Sequence, residues 1–480
     1  MPKLHHNRIF LIAAAVALLS LPAINGCSQS NSAYLAENTS ADPSVSELLI
    51  NDRNVLSQWA EQGLALSRET YRQLAPFIRE DIQKSRAAFA AIQDSYEHRP
   101  RFFDPDWLQN PLVHLNLTGV ILRPDHPIIM PDGVCGEIRL LYRLNYQGAA
   151  QGDQSDLPLT VVQIFPLKSS SPCDEALAQM TDHLATHNFA AIKSATSGRP
   201  AAVEYNFQTN RYPNDGTDFS NQAHYALAAL HYEDGNLTRS PLENTPDLHR
   251  LASDPEQTEL LWHWIQDNLD AIDQGRYQIP DKFLAGSAQS VTPNGALRLS
   301  NRPFQALFQG DHFSSPELTD RVHIKNKAQL LRRLDSMTCT GCHTTASVAG
   351  FHYLGQVRNR DGYFNRMVEP FSTYFKEIQG WRNQIIQEPD LPKPTVDRVV
   401  KGMGAACGHP GGDFAEWTCD SGLQCATAFP TSPDNPVGQC LQAAPKTVGK
   451  ACDIAELKSG INPLADKWQH YATHQCDGLM

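Results

Sequence analysis

The chain has no excess of basic residues: 40 Lys and Arg stand against 52 Asp and Glu, a formal net charge of −12. That balance is a poor match for nucleic acid or anionic lipid headgroups and suits a basic partner protein better. The sequence also lacks G-x-S-x-G, H-E-x-x-H and any phosphate-cradling glycine loop, so hydrolase and nucleotide-binding readings have no support. Beyond Leu21 no apolar run approaches the roughly 20 residues a transmembrane helix needs. Only one C-x-x-C-H occurs, which disfavours di-haem peroxidase architectures.

What the N-terminus does contain is an export signal. Lys3 and Arg8 precede the apolar run from Ile9 to Leu21, which Pro22 breaks before it is long enough to span a bilayer. The run ends at Ile24-Asn25-Gly26-Cys27, which resembles the bacterial lipobox. The resemblance implies a signal peptide over 1–26 and lipidation of Cys27. Ser28 after the cysteine implies an outer-membrane destination, with the body on the periplasmic or cell-surface side. Loss of Lys3 and Arg8 takes the formal charge from −12 to −14. A polar tether over 27–41 follows, and the lipid is the expected membrane contact.

Eleven cysteines suit an oxidising compartment. Apart from Cys27, Cys339 and Cys342, eight remain: Cys135, Cys173, Cys407, Cys419, Cys425, Cys440, Cys452 and Cys476. Eight is even and fits a fully paired set, but pairing Cys339 with Cys342 leaves parity equally intact.

Along the mature chain the pattern is α+β. A helical segment over 42–100 opens with the capping box Ser44-Val45-Ser46-Glu47. Pro76 marks the start of a second helix, with Ile78, Ile82, Phe89, Ile92 and Tyr96 near one face. Over 101–300 the period changes to two, giving an antiparallel β-rich domain with helices. Strands are expected at Val113–Leu117, Ile138–Tyr146, Leu159–Phe165, Ala202–Phe207 and Tyr225–Tyr232, and helices at Asp174–His187 and Gln257–Ile272. Folding the second and third strands as a hairpin brings Cys135 and Cys173 to its open end, so those two should pair. His263, within L-W-H-W, reads as a packed or surface residue.

The segment 301–400 is expected to be small and mostly helical. Asn326–Met337 carries Leu330, Leu331, Leu334 and Met337 at helical spacing and leads directly into M-T-C-T-G-C-H-T-T. A further helix is expected at Tyr363–Ile386. From 401 to 480 the apolar content falls and K-x-x-G-x-A-C recurs, ending at Cys407 and Cys452: one full and one shortened crosslinked module. The repeat favours Cys407–Cys419, Cys425–Cys440 and Cys452–Cys476. The interleaved set, Cys407–Cys425 with Cys419–Cys440, stays open.

Cys339-Thr340-Gly341-Cys342-His343 is the attachment signal for c-type haem. Two thiols three residues apart reach two neighbouring vinyl groups, and the next imidazole projects toward iron. A structural disulfide is the competing reading. Zinc fits poorly, because adjacent Cys342 and His343 do not easily share one tetrahedral ion. His343 would be the proximal ligand. His352, in G-F-H-Y-L-G, is the favoured distal one, since nine extended residues span roughly 30 Å. Met367 and Met403 are weaker candidates, and an open site also remains.

T-C-T-G-C-H-T-T resembles the c-type cytochromes over about 75 residues at most. More broadly, V-C-G-E-I-R-L-L-Y-R-L, C-T-G-C-H with A-G-F-H-Y-L-G, and F-A-E-W-T-C-D-S-G-L-Q-C look like a set of functionally uncharacterised bacterial secreted proteins. The cytochrome resemblance implies one covalent haem c and electron transfer. A haem enzyme or sensor with an open iron site, and a haem-free disulfide-rich binding lipoprotein, are the alternatives.

Replacing Cys27 with Ala is expected to release the protein from the membrane fraction. Mass spectrometry of the mature N-terminus checks this, and an unlipidated start at another residue would contradict it.

Overall fold

The computed structural model describes residues 48–90, 101–125, 133–147, 154–211, 223–292, most of 301–340, 373–392 and short stretches between 406 and 442. Among these, no helix is long and apolar enough to cross a membrane. The architecture is α+β, with helices packed on one antiparallel sheet.

The sheet is built from β1 (Leu49–Ile50), β2 (Arg101–Phe102), β3 (Val113–Arg123), β4 (Val134–Gln147), β5 (Gln154–Lys168), β6 (Ala202–Arg211), β7 (Ala223–Glu233), β8 (Asn236–Ser240) and β9 (Ser287–Thr292). Its order is β1-β3-β4-β5-β6-β7-β8, with β2 also on β6 and β9 also on β7. Every pairing is antiparallel.

One face is apolar. Ile138, Leu140, Tyr142 and Leu144 of β4 alternate toward it, as do Leu157, Leu159 and Val161 of β5 and Val203, Tyr205 and Phe207 of β6. Helices α1 (Arg53–Trp59), α2 (Arg68–Ala90), α3 (Cys173–Ala185) and α4 (Phe189–Ala195) cover it, contributing Leu56, Leu74, Ile78, Ile82, Leu177, Met180, Leu184 and Ile192 to the same core. Asp52 begins α1 by accepting the amides of Asn54 and Val55. The expected capping box at Ser44–Glu47 lies outside the described residues.

Pro76 sits inside α2 and does not start it. The helix begins about two turns earlier, where the Ser67 hydroxyl accepts the Thr70 amide. Pro76 is exposed, so the carbonyl it leaves without an amide partner faces water and the helix tolerates it.

Cys135 and Cys173 form the expected disulfide, with Cα atoms 4.9 Å apart. It closes a separation of 38 residues and so restricts the unfolded chain by roughly 4 kcal/mol on the loop-entropy account. Gly136 makes room beside it, since a Cβ there would lie 2.9 Å from the Arg123 carbonyl oxygen.

A second core belongs to the helices after β8. These are α5 (Leu248–Ser253), α6 (Pro255–Asp267), α7 (Leu269–Gln274), α8 (Pro303–Leu307) and α9 (Lys327–Ser336). Leu261, Trp262, Ile265, Ile272, Phe304, Phe308, Leu330 and Leu334 fill it. The single helix expected at Gln257–Ile272 is two, because Asn268 departs from helical geometry between α6 and α7. His263 is exposed. The last described helix, α10 (Thr373–Gln387), is fixed to the sheet by Arg382, whose Nε donates to Asp125 Oδ1 at 2.8 Å.

A separate three-stranded sheet, β10 (Ala406–Gly408), β12 (Val437–Gln442) and β11 (Leu423–Ala426) in that order, spans part of the cysteine-rich region. Its register sets Cys425 directly opposite Cys440. Opposed residues of an antiparallel pair have Cα atoms about 4.5–5.5 Å apart, within disulfide range. Non-reducing peptide mapping is therefore expected to recover a Cys425–Cys440 crosslink. A Cys407–Cys425 peptide would instead establish the interleaved set.

Candidate functional site

The turn that leaves β8 is held from several sides. Leu242 donates its amide to Ala285 O at 2.8 Å, Ala285 donates to Thr245 O at 2.9 Å, and Asp247 donates to Phe283 O at 2.9 Å. At its centre Asn244 has φ +48°, a left-handed conformation that asparagine adopts more readily than most residues. Its buried carboxamide accepts the Ile279 amide at 3.0 Å and donates to Tyr277 O at 3.3 Å. A residue without that carboxamide would leave both groups unanswered and the left-handed backbone unsupported.

Cys339 docks on this turn. Its amide donates to Thr245 Oγ1 at 2.8 Å, and its thiol donates to Glu243 O at 3.7 Å. The Thr245 hydroxyl in turn donates to Glu243 O at 3.0 Å, so one buried side chain orders both contacts. Leaving a buried amide of this kind unpaired costs about 1–3 kcal/mol.

Helix α9 delivers Cys339 to the turn. Asn326 caps it by accepting the Gln329 amide at 2.8 Å. Arg333 reaches across to α7, donating to Ile272 O at 3.1 Å and Asp273 O at 2.8 Å, where the last carbonyls of that helix attract a cation. The Asp273 carboxylate collects the amides of Val322, His323 and Ile324. Asp335 accepts the Phe304 amide at the start of α8 at 2.8 Å, and burial pushes its carboxyl up to about 7. Thr338 closes the helix by donating to Asp335 O at 2.8 Å. Leu330, Leu331 and Leu334 are consumed by the second core, so this stripe offers no apolar wall to a porphyrin.

The other face of the main sheet is mixed: Leu49, Ile121, Leu141, Val162 and Ile164 form a small apolar cluster on it, and a charged cluster lies beside Cys339. Arg139 Nη2 pairs with Glu137 Oε2 at 2.9 Å, and Arg139 Nη1 pairs with Glu204 Oε2 at 3.2 Å. Small residues, Ala202 and Ala229, share that face with Glu204. The Cys339 thiol is pushed up to about 12, first by burial and then by the carboxylates of Glu204 and Glu243, with Thr245 and Arg139 opposing. The residue keeps some solvent contact, which tempers the burial contribution and leaves the two carboxylates acting. A sulfur held as the neutral thiol is a poor attacking nucleophile. This environment is the reverse of the electropositive setting that activates a redox dithiol.

Of the residues singled out in the sequence, Cys339 is a free thiol. Cys135, Cys173 and Cys419 are disulfide-bonded. Cys342, His343, His352, Met367, Met403, Cys27, Cys452 and Cys476 lie outside the described residues. Among the described residues no group of three or more His, Cys, Asp or Glu is arranged to hold a metal ion. Thr245, Glu243, Glu204 and Arg139 were not foreseen. Only L-E-N-T-P carried a signal, as a turn. No family model, curated protein or solved structure matches the chain.

Of the atoms a c-type haem would bond, the Cys339 sulfur is the one among the described residues, and it is partly exposed and outside any disulfide. The described surroundings supply polar contacts there and no apolar cover for a porphyrin's faces.

In haem-free protein at pH 8, iodoacetamide is expected to label Cys339 more than about tenfold more slowly than an unshifted thiol. The rate should still be rising beyond pH 9, and Glu204→Gln should accelerate it. Fragment mass spectrometry reads the site; labelling at the rate of free cysteine would refute the assigned environment.

Proposed function

We propose that this is a lipid-anchored extracytoplasmic protein that carries one covalent haem c on Cys339 and Cys342 and serves in electron transfer. The observation that carries the reading is the free thiol of Cys339 in a chain whose Cys135, Cys173 and Cys419 are crosslinked. A C-x-x-C closed as a structural disulfide would consume that thiol, whereas thioether formation requires it.

Attachment needs no oxidant. Each thiol adds across a vinyl group, forming a sulfur–carbon bond while its hydrogen passes to the neighbouring vinyl carbon. When bound, haem supplies reversible one-electron exchange between ferric and ferrous iron. In this reading His343 and His352 would hold the haem iron. Thr245 and the Glu243 carbonyl hold the Cys339 end. Glu204, Glu243 and Arg139 set the field at that edge. The net charge of −14 after export suits a basic redox partner.

Expression with haem-maturation machinery is expected to yield a haem-staining band on denaturing electrophoresis and a c-type pyridine haemochrome. Combining Cys339→Ala with Cys342→Ala should abolish both. An unstained wild-type protein would overturn the reading in favour of a haem-free binding lipoprotein. A high-spin spectrum would favour the open-site enzyme or sensor.

A further inference from the structure

We propose that the outer edge of β3 pairs with the same edge of a second copy of this chain, the two strands running antiparallel about Leu115. Nothing in this pairing depends on a haem.

β3 has β4 along one side for its whole length, from Val113 to Arg123. On its other side β1 answers only Val120 and Ile121, so among the described residues no strand accompanies Val113 to Leu117. The direction of the backbone groups there is fixed. Gln147 donates its amide to Leu112 O at 2.8 Å, and bonded pairs recur at every second residue, so His114 and Asn116 aim their backbone groups at β4. Val113 O, both backbone groups of Leu115 and the Leu117 amide therefore point outward, while the Val113 amide is answered by Asn110 O at 3.0 Å. An open ladder of this kind receives an extended strand. Its usual safeguards are missing: Val113-His114-Leu115-Asn116-Leu117 holds no Lys, Arg, Asp, Glu or Pro, and the bulge between Leu117 and Gly119 lies at its end, beside the rungs that β1 covers.

Charge and register select the occupant. Two copies of a chain with a net charge of −12 meet most readily through a stretch without acidic residues, and this edge is one; a basic partner would find no carboxylate on it. The register is self-matching. Setting Leu115 opposite Leu115 of the second copy puts Val113 opposite Leu117, so each copy donates its Leu115 and Leu117 amides to the other's Leu115 and Val113 carbonyls. Val113 and Leu115 are half-buried against the core under α1–α4, and they then meet apolar side chains on that same face. The exposed His114 and Asn116 meet each other on the opposite face. Such a two-fold pairing closes on itself and leaves neither β3 edge open.

The test is sedimentation of the full chain over a range of concentrations, with hydrogen exchange read at β3. The wild-type protein is expected to form a dimer in which the Leu115 and Leu117 amides exchange slowly, and to lose that protection on dilution to monomer. His114→Glu combined with Asn116→Glu sets like charges opposite each other across the pairing, while both positions face water in the single chain. It should raise the dissociation constant about tenfold or more. His114→Glu combined with Asn116→Lys sets opposite charges there and should restore association. A monomer at every concentration would overturn the proposal, as would a dimer indifferent to the two glutamates, which would place the contact elsewhere. Protection of Leu115 that persists in the monomer, or monomers that take up an extended strand of another protein at this edge instead, would also overturn it. If the variants do not fold, exchange of the wild-type Leu115 amide decides: protection that appears with the dimer supports the pairing, and protection independent of concentration refutes it.

Discussion

The hydrogen bond from the Cys339 amide to the Thr245 hydroxyl ties the end of α9 to the turn that leaves β8. The sheet packs its apolar face under α1–α4, and the helices after β8 pack around Leu330 and Leu334. Thr245 belongs to the strand-exit turn and Cys339 to the end of α9. Their contact transmits the position of the sheet to the sulfur. The surrounding contacts make that transmission stiff: Arg333 on the end of α7, Asp335 on the start of α8, and Asn244 beneath the turn. Each neutralises a backbone group that would otherwise be buried without a partner.

The charges next to the sulfur follow from the same economy of pairing. Glu137 and Arg139 are nearly inaccessible, yet each answers the other, and Glu204 completes the set. Such a cluster is costly to bury and costly to break. The adjacent thiol is raised first by burial and then by the Glu204 and Glu243 carboxylates, with Arg139 opposing.

Much of the sheet was readable from alternation alone. Leu115 and Leu117 in β3, and Ile138, Leu140, Tyr142 and Leu144 in β4, are spaced by two, and the Cys135–Cys173 bond followed from where that hairpin opens. Alternation alone does not reveal the opposite face: Glu137 and Arg139 are covered, because their mutual pairing, invisible in a one-dimensional pattern, permits burial. Pro76 was readable as a helix signal but not as an interior one, since its tolerance depends on facing water. Thr245 carried no signal beyond its place in a turn. A contact across 94 residues has no period, and a threonine in a turn resembles any other. The C-x-x-C-H motif was legible as a string, and the partners of Cys339 were not.

Strands β8 and β9 have a further consequence. Ser240 pairs with Ala229 and Ser287 with the neighbouring Ala228, both antiparallel to β7, so the two run in the same direction along one edge. They amount to one interrupted strand, and residues 241–286 are an excursion that leaves and rejoins it at adjacent rungs. Such a detour places little demand on the sheet: lengthening a closed loop twofold costs only about 0.6 kcal/mol in chain entropy. The excursion begins with the turn that receives Cys339. A chain can therefore acquire, enlarge or exchange a site at this seam while the strand pairing that defines the sheet stays intact.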